Sequence, residues 1–263
     1  MTTIAADHSV DELMTAVLAS EIKDGDIGMP TAMCPLADTA ICLAKLTNAK
    51  GMVWQPHGGP DPLDVYDLAH LNSSPRGRNA AMFIPDWGDV VAQMTRSMVG
   101  FQIVAPAQID KYGNMNNNVI GDHAKPTVRF PGSVGMPEIG VYHQKVLIYE
   151  PRHTARVFVE KVDFISGLGQ GFGGQKGRRQ KGISGGGPII VVSNLAVMDF
   201  DEDSGLMKIR SLHPGVELAE VQASTGFELL GGESIPITDA PTAEQVDLIR
   251  NVIDPEGRRR HRM

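Results

Sequence analysis

The feature that most constrains the fold is an alternation of helix and strand signals in the first half of the chain. Ser9 and Glu12 form a capping box, in which each side chain satisfies a backbone N–H, and apolar residues follow at helical spacing. We expect a strand at Ile27 to Met29, a helix starting at Pro35 and a strand ending at Gln55. Such alternation builds an open, mostly parallel sheet with flanking helices, which binds ligands at the carboxyl ends of its strands. The sequence therefore predicts an α/β fold with a site in loops such as the one after Gln55.

The second half of the chain is richer in strand signals, so we expect a β-rich C-terminal half. The pattern predicts four strands, over residues 146–149, 156–165, 188–200 and 206–212. Residues 167–187 are dominated by glycine and interrupted by basic residues, which is typical of a flexible or ligand-ordered loop. We predict a single domain over residues 1–263, with that loop inside it and a frayed tail over residues 257–263.

Composition and charge argue against several classes of function. A net charge of −7 disfavours a nucleic-acid partner, whose binding would depend on neutralising phosphates. We find neither a signal-peptide pattern nor an apolar run of about 18 residues, so we expect a cytoplasmic protein with no membrane partner. Cys34 and Cys42 indicate buried reduced thiols, and the histidines lack the spacing of metal ligands, so no metal site is predicted.

One stretch is more specific than these patterns. Residues 107–116 read Ala-Gln-Ile-Asp-Lys-Tyr-Gly-Asn-Met-Asn, and Gly132-Ser133-Val134-Gly135 follows. These motifs resemble the β subunit of glutaconate CoA-transferase, a class I CoA-transferase, over nearly the whole chain. The resemblance implies a fold of the NagB/RpiA-like type, an α-type partner subunit in an α₂β₂ heterotetramer, and an active site between subunits. It also implies an acyl-CoA substrate, with coenzyme A as part of that substrate and no other cofactor.

The chain departs from this family at its catalytic position. In the family, a β-subunit glutamate in a Glu-Ser-Gly stretch attacks the acyl-CoA carbonyl. Pro56 stands at the matching position here, and a slip of one residue offers only Gln55 or His57, neither of which replaces a carboxylate. The myxobacterial 3-methylglutaconyl-CoA decarboxylase looks similar and also lacks the glutamate, and the ring-opening hydrolase of bacterial steroid breakdown shares the Tyr-Gly-Asn stretch. We therefore predict a lyase or hydrolase; a CoA-transferase with a displaced carboxylate and a non-catalytic structural subunit stay open.

The candidate site residues come from the same motifs. His57 is the predicted acid or base, because imidazole titrates near neutral pH, and its alternative is a bystander role. Gly132 and Gly135 predict an oxyanion-binding loop, since glycines allow backbone N–H groups to approach a carbonyl; an ordinary turn is the alternative. The other predicted catalytic or substrate-binding residues are Gln55, Gly58, Gln108, Asn114, Asn116, Ser133, Val134, Lys176, Arg178 and Arg179. The basic ones either meet CoA phosphates or form a solvated surface, and the asparagines either bind substrate or support the site.

Overall fold

The structure, a computed structural model, describes residues 3–29, 34–54, 83–232 and 234–260. They cluster into two compact units, the first drawn from residues 1–104 and 239–263 and the second from residues 105–238. The prediction of a single domain over residues 1–263 stays a prediction.

In chain order the secondary structure is α1 (Val10–Ser20), β1 (Ile27–Met29), α2 (Pro35–Leu46), β2 (Val53–Trp54), α3 (Trp87–Thr95), β3 (Phe101–Val104), β4 (Gln108–Asp110), β5 (Met115–Asn116), β6 (Val119–Ile120), β7 (Val128–Arg129), α4 (Met136–Tyr142), β8 (Lys145–Glu150), β9 (Phe158–Val159), α5 (Gly174–Gln180), β10 (Pro188–Ser193), β11 (Ala196–Phe200), β12 (Met207–Leu212), α6 (Leu218–Ala223) and α7 (Ala243–Asp247). A π-helical segment, Leu248–Ile253, continues α7, and Arg258–Arg260 form a 3-10 turn. The predicted α/β class is confirmed.

The first unit carries the parallel strands that the helix and strand alternation predicted. Strand β1 lies between β2 and β3 and pairs with both in parallel, with Ile27 opposite Val53 and Gly28 opposite Phe101. Glycine is needed at position 28 because a Cβ there would lie 2.6 Å from Cε1 of Phe101. The absence of a side chain on Gly28 therefore leaves room for the phenyl ring of Phe101 beside β1. Helix α1 begins as predicted, with Ser9 N donating to Glu12 Oε2 at 2.9 Å.

The C-terminal segment of the first unit corrects the prediction of a frayed tail for residues 257–260, and residues 261–263 lie outside the described residues. Arg259 is buried, and its guanidinium forms ion pairs with Asp11 at 2.6 Å, Glu12 at 3.0 Å and Asp254 at 2.9 Å. Asp11 and Glu12 are themselves buried in the first turn of α1. Buried carboxylates need a partner of opposite charge, and the tail supplies it, so Arg258–Arg260 are held in place.

The second unit combines parallel and antiparallel pairing. Strand β10 pairs in parallel with β8 and antiparallel with β11, which continues into β12 as a hairpin. A smaller sheet has the order β5-β4-β9, and β6 and β7 form a separate hairpin. The predicted strand over residues 188–200 is two strands, because the Ser193 hydroxyl accepts hydrogen bonds from the backbone N–H groups of Leu195 and Ala196 and makes a turn.

Two further predictions for the second unit were wrong in part. The strand predicted over residues 156–165 is reduced to Phe158–Val159. Beyond it, the side chains of Asp163 and Ser166 accept hydrogen bonds from backbone N–H groups of other segments, which takes the place of strand pairing. The predicted loop over residues 167–187 contains helix α5, which is anchored by the buried side chain of Arg178.

Candidate active site

The predicted catalytic segment lies outside the described residues. Gln55, Pro56, His57 and Gly58 all belong to this part of the chain. Their predicted roles therefore stay predictions. The other candidate residues are all in the second unit, where the structure gives their contacts.

The Asp-Lys-Tyr-Gly-Asn motif forms a tight turn built around the carboxylate of Asp110. Asp110 Oδ1 accepts hydrogen bonds from the backbone N–H groups of Tyr112 and Asn114, each at 3.0 Å, and Oδ2 accepts one from Asn114 Nδ2 at 2.9 Å. Burial raises the pKa of Asp110, and these hydrogen bonds act in the opposite direction. Gly113 has a φ of 73°, and a Cβ there would lie 2.6 Å from Cζ of Phe200, so the turn requires glycine.

The amides of Gln108 and Asn116 face each other across β4 and β5. Asn116 Nδ2 donates to Gln108 Oε1 at 2.7 Å and to the Val119 carbonyl at 2.6 Å. Gln108 Nε2 donates to Asp163 Oδ2 at 3.0 Å, and that oxygen also accepts from Gly121 N at 2.9 Å. These partners occupy the amide groups of both residues. These contacts are those of supporting residues, which is the alternative the sequence left open for Asn116, while the substrate contacts predicted for Gln108 and Asn116 stay predictions.

The motif Gly132-Ser133-Val134-Gly135 is a loop fastened by one side chain. Ser133 Oγ donates to Ser166 Oγ at 3.0 Å and accepts from Asn118 Nδ2 at 3.2 Å. Ser166 Oγ in turn accepts from the backbone N–H of Asn117 at 3.0 Å. The loop is therefore tied to the strand that follows the Asp110 turn.

Two backbone donors of this loop have no partner in the described part of the chain. Gly132 and Gly135 have φ values of 118° and 71°, and Val134 is 78% exposed. Among the described residues, the backbone N–H groups of Ser133 and Val134 have no hydrogen-bond acceptor. Unpaired backbone donors of this kind are what an oxyanion-binding loop uses, and that role stays a prediction.

The basic residues of α5 divide into two groups. Lys176 and Arg179 are exposed, whereas Arg178 is fully buried. Arg178 Nη1 donates to the Gly169 carbonyl at 2.6 Å, and its other nitrogens donate to the carbonyls of Gly140 and Gly185. Burial lowers the pKa of Arg178 to about 10, which leaves it protonated at neutral pH. The prediction that Arg178 contacts a CoA phosphate is wrong, because its side chain is buried and its N–H groups donate to backbone carbonyl oxygens.

A serine and two histidines of the second unit resemble catalytic machinery but are buried. His153 Nδ1 lies 2.8 Å from Ser193 Oγ, and its Nε2 lies 2.9 Å from Thr225 Oγ1. His213 Nε2 lies 2.8 Å from the Ser193 carbonyl. All four side chains are buried, and burial lowers the pKa of His153 to about 4. These residues form a structural network, since substrate has no access to the serine.

The sequence did not single out Asp163, which contacts Gln108 and Gly121, or Ser166, which contacts Asn117 and Ser133. Both follow β9 in an irregular stretch, so no periodicity marks them. A weak signal was available for Asp163, because a polar residue inside a predicted strand needs a hydrogen-bond partner. Across the described ranges, no three His, Cys, Asp or Glu side chains are placed to hold a metal ion. No helix within those ranges is long and apolar enough to cross a membrane.

Comparison with known proteins identifies the family. The sequence profile described as Coenzyme A transferase matches residues 80–224, more than half of the chain. The chain belongs to the coenzyme A transferase family, as its motifs predicted. It is 33% identical over 252 residues to the B subunit of 3-oxoadipate CoA-transferase from Pseudomonas knackmussii, with 92% of each chain covered. It is 34% identical over 267 residues to the B subunit of glutaconate CoA-transferase from Acidaminococcus fermentans, covering 95% of this chain and 94% of the relative.

A third relative carries a different activity in its name. The IpdB subunit of the cholesterol ring-cleaving hydrolase from Rhodococcus jostii is 35% identical over 178 residues, which cover 65% of this chain and 64% of the relative.

Solved structures agree with these sequence matches. The glutaconate coenzyme A-transferase of Acidaminococcus fermentans superposes with a TM-score of 0.82 at 26% identity, covering 95% of this chain and 96% of that one. The Rhodococcus jostii RHA1 IpdAB structure gives 0.76 at 26% identity, covering 97% and 98%.

The decarboxylase AibA/AibB has the same fold. Its structure superposes with a TM-score of 0.82 at 24% identity and covers 96% of this chain and 98% of that one. At this level of identity the likeness concerns the fold alone. One fold therefore accompanies transferase, hydrolase and decarboxylase names, and the activity has to be argued from the site.

Proposed function

We propose that this chain is the β-type subunit of a heteromeric enzyme that converts an acyl-CoA thioester by lyase or hydrolase chemistry. The observation that carries the proposal is Pro56, which stands where the resemblance places the nucleophilic glutamate of a CoA-transferase. Proline has no group that attacks a thioester carbonyl, so no anhydride forms at this position. The acyl-CoA then reacts without a covalent intermediate on this residue.

The loop over residues 132–135 supplies the groups that such chemistry needs. The N–H groups of Ser133 and Val134 are available to polarise the thioester carbonyl, either as an enolate forms or as water adds to it. The hydrogen bond from Ser133 to Ser166 holds these donors in place before substrate arrives. His57 is the proposed acid or base, because the resemblance places it beside the missing glutamate.

Coenzyme A enters this scheme as part of the substrate. Lys176 and Arg179 are exposed cations on α5 and are the proposed contacts for its phosphates, since charge-assisted hydrogen bonds to phosphate are strong. The alternative is that both side chains are solvated surface residues with no contact to substrate. Substitution of each residue distinguishes the two roles. A substitution of either residue by Gln is expected to raise KM for the thioester and leave kcat unchanged.

The proposed partner is an α-type subunit in an α₂β₂ assembly. The two CoA-transferase relatives are each named as the B subunit of their enzyme, and the AibA/AibB and IpdAB structures are named for two chains. A partner chain supplies catalytic groups that Pro56 and its neighbours lack. We therefore propose that the activity belongs to the complex.

A CoA-transferase is the second candidate. The B subunits of 3-oxoadipate and glutaconate CoA-transferases match more than nine tenths of this chain, whereas the IpdB relative matches about two thirds. This candidate requires a displaced carboxylate, and Asp61 or Asp64 is the nearest one in the sequence. It predicts a CoA thioester on a residue of this chain, which the first candidate excludes.

One experiment separates the candidates. The complex of this chain with its co-expressed α-type partner is incubated with candidate acyl-CoA thioesters and isotope-labelled acetate, and the acyl-CoA pool is followed by mass spectrometry. Loss of carboxyl or addition of water without labelled acetyl-CoA supports the lyase or hydrolase. Labelled acetyl-CoA, together with an adduct of CoA on this chain, overturns it in favour of the transferase.

Variants test the site itself. His57→Ala removes the proposed acid or base, and Gly132→Ala strains a backbone φ of 118° and so displaces the N–H groups of Ser133 and Val134. Each is expected to reduce turnover by at least about a hundredfold. Glu244→Gln, on an exposed residue of α7, is the matched control and is expected to have no effect. Full turnover in both site variants points to the structural-subunit alternative, in which the partner carries all the chemistry.

A further inference from the structure

Arg178 is a buried cation whose charge has no acidic partner in the described residues. Its guanidinium is enclosed by backbone carbonyls of Gly140, Gly169 and Gly185. Burying a charge without a counter-ion is costly, and hydrogen bonds from the planar, five-donor guanidinium offset part of that cost. A cation retained under these conditions requires a reason beyond the stability of α5.

Glycines allow the backbone to close around this side chain. A Cβ at Gly187 would lie 2.7 Å from Cζ of Arg178, and one at Gly185 would lie 2.5 Å from the His143 carbonyl oxygen. A Cβ at Gly169 would overlap the carbonyl oxygen of Tyr112. These three glycines of residues 167–187, a stretch that the sequence associated with flexibility, are therefore required by close packing, at Gly187 against Arg178 itself and at Gly169 and Gly185 against neighbouring backbone.

One peptide group connects Arg178 to the Asp110 turn. The Gly169 carbonyl accepts from Arg178 Nη1 at 2.6 Å, and the N–H of the same peptide, that of Gln170, donates to the Tyr112 carbonyl at 2.7 Å. Hydrogen bonds in series polarise one another, so the charge of Arg178 strengthens the hold on Tyr112. Gly169 N also donates to Asn114 Oδ1 at 2.8 Å, which gives the turn a second attachment.

Asp110 holds the same turn from the other side. Its carboxylate accepts from the N–H groups of Tyr112 and Asn114 and from the Asn114 amide. Asp110 is buried and forms no ion pair with a cation in the described ranges. The turn thus lies between a buried anion and a buried cation, each joined to it by hydrogen bonds.

Arg178 reaches the second site motif as well. Its Nη2 donates to the Gly140 carbonyl in α4, the helix that begins directly after Gly135. That carbonyl is one of the last four of the helix, which lack partners within it. One side chain therefore fixes both α4 and the Asp110 turn.

We infer that Arg178 is a positioning residue that acts with Asp110 as a charge pair bridged by peptide groups, holding the Tyr112–Asn114 turn in register with the 132–135 loop. Its importance for turnover rests on the proposed function, whereas its effect on the turn does not. The two are tested separately.

Hydrogen exchange on the purified chain, followed by mass spectrometry of peptides, tests the effect on the turn. In Arg178→Lys, which keeps the charge but loses the fork of donors, the amides of Gly169, Gln170 and Asn114 are expected to exchange about tenfold faster or more. A reference peptide over β10 and β11 is expected to change by less than about twofold. Arg179→Gln, on the exposed neighbour, is the matched control and is expected to leave both regions unchanged.

Two further variants keep the inference falsifiable if a change at Arg178 unfolds the chain. Gly187→Ala displaces the guanidinium without removing it and is expected to give the same local acceleration. Asp110→Asn combined with Arg178→Lys is expected to accelerate the turn by less than the product of the single effects, because the two residues are coupled. Equal acceleration of the turn and the reference peptide, or independent effects of the two substitutions, overturns the inference.

The activity arm uses the complex with the α-type partner. Arg178→Lys is expected to lower kcat about tenfold with KM for the thioester unchanged, since positioning of donors affects the transition state most. Normal kcat in a variant whose turn exchanges faster refutes the catalytic importance of Arg178. A further outcome is that the wild-type complex converts no acyl-CoA although Arg178→Lys accelerates exchange in the turn as expected. In that case the proposed function is wrong and the structural role of Arg178 and Asp110 is supported.

Discussion

Two buried histidines offer a matched test of what an unpaired polar group costs this fold. His143 and His153 are both buried, and burial lowers the pKa of each to about 4. Within the described residues neither ring nitrogen of His143 has a hydrogen-bond partner, whereas both of His153 do. His153 also stacks on Phe158, with ring centroids 3.8 Å apart. The same substitution at the two positions should therefore have opposite effects.

At pH 7.5, His143→Leu removes two unpaired nitrogens, each of which costs about 1–3 kcal/mol when buried. A change of side-chain shape in a packed core costs about 1–3 kcal/mol and offsets part of this, so we expect a net gain of about 1–2 kcal/mol in the free energy of unfolding. His153→Leu loses two hydrogen bonds and a ring contact, for which we expect a loss of about 2–4 kcal/mol. Urea unfolding monitored by circular dichroism measures both changes, provided the m-value is unchanged.

The pH dependence gives a second, independent magnitude. Each histidine has a pKa of about 4 in the folded chain and 6.5 when unfolded. The unfolded state binds more protons in this window, so stability is lost as pH falls from 6.5 towards 4, by about 2 kcal/mol for each histidine at pH 5. His143→Leu removes the loss of stability that His143 causes at low pH. The difference in free energy of unfolding between this variant and the wild type should therefore increase by about 2 kcal/mol between pH 7.5 and pH 5. A loss of stability in His143→Leu at pH 7.5, similar to that of His153→Leu, would refute the reasoning.

Three further outcomes follow from contacts described above. Gly113→Ala places a Cβ against Phe200 at a φ of 73° and should cost about 2–4 kcal/mol in urea unfolding. Arg259→Gln removes the buried cation that Asp11, Glu12 and Asp254 share, while Arg250 stays beside Glu12 and Arg260 beside Asp11, so it should cost about 3 kcal/mol by the same measurement. Burial raises the pKa of Glu12, but hydrogen bonds from Arg250 and Ser9 outweigh this and lower it to about 2. The ionised Glu12 should therefore stabilise the fold fully above pH 4.5, and this stabilisation should be lost as the pH falls towards 2. In Glu12→Gln, the free energy of unfolding should decrease less between pH 4.5 and pH 2 than in the wild type.

Local signals in the sequence predicted the first unit well. The capping box at Ser9, the strand Ile27–Met29 and the helix starting at Pro35 are all present, because each depends on residues a few positions apart. The position of the tail was missed, since Arg259 pairs with Asp11 and Glu12 across nearly the whole chain. A pattern of neighbouring residues cannot predict an ion pair between residues so far apart in the sequence.

The motifs of the predicted site lie together in the second unit, and the roles given to their exposed residues stay predictions. The residues around Asp110 and Gly132 come together in the second unit, and the Ser133 to Ser166 hydrogen bond is the contact that joins them. Arg178 was predicted to bind a CoA phosphate because a basic residue among glycines is typical of an exposed loop. The burial that reverses this assignment arises from carbonyls of three separate segments, which only the folded chain brings together.

The ion pairs of Arg259 also have a consequence for synthesis on the ribosome. The second unit is drawn from one continuous stretch, residues 105–238, so all of it is translated before Arg259. The first unit differs, because Asp11 and Glu12 are translated before the second unit and their cationic partner Arg259 is translated after it. The acidic first turn of α1 therefore waits for Arg259 while the whole of the second unit is made, so the second unit can complete its own contacts before the first unit does.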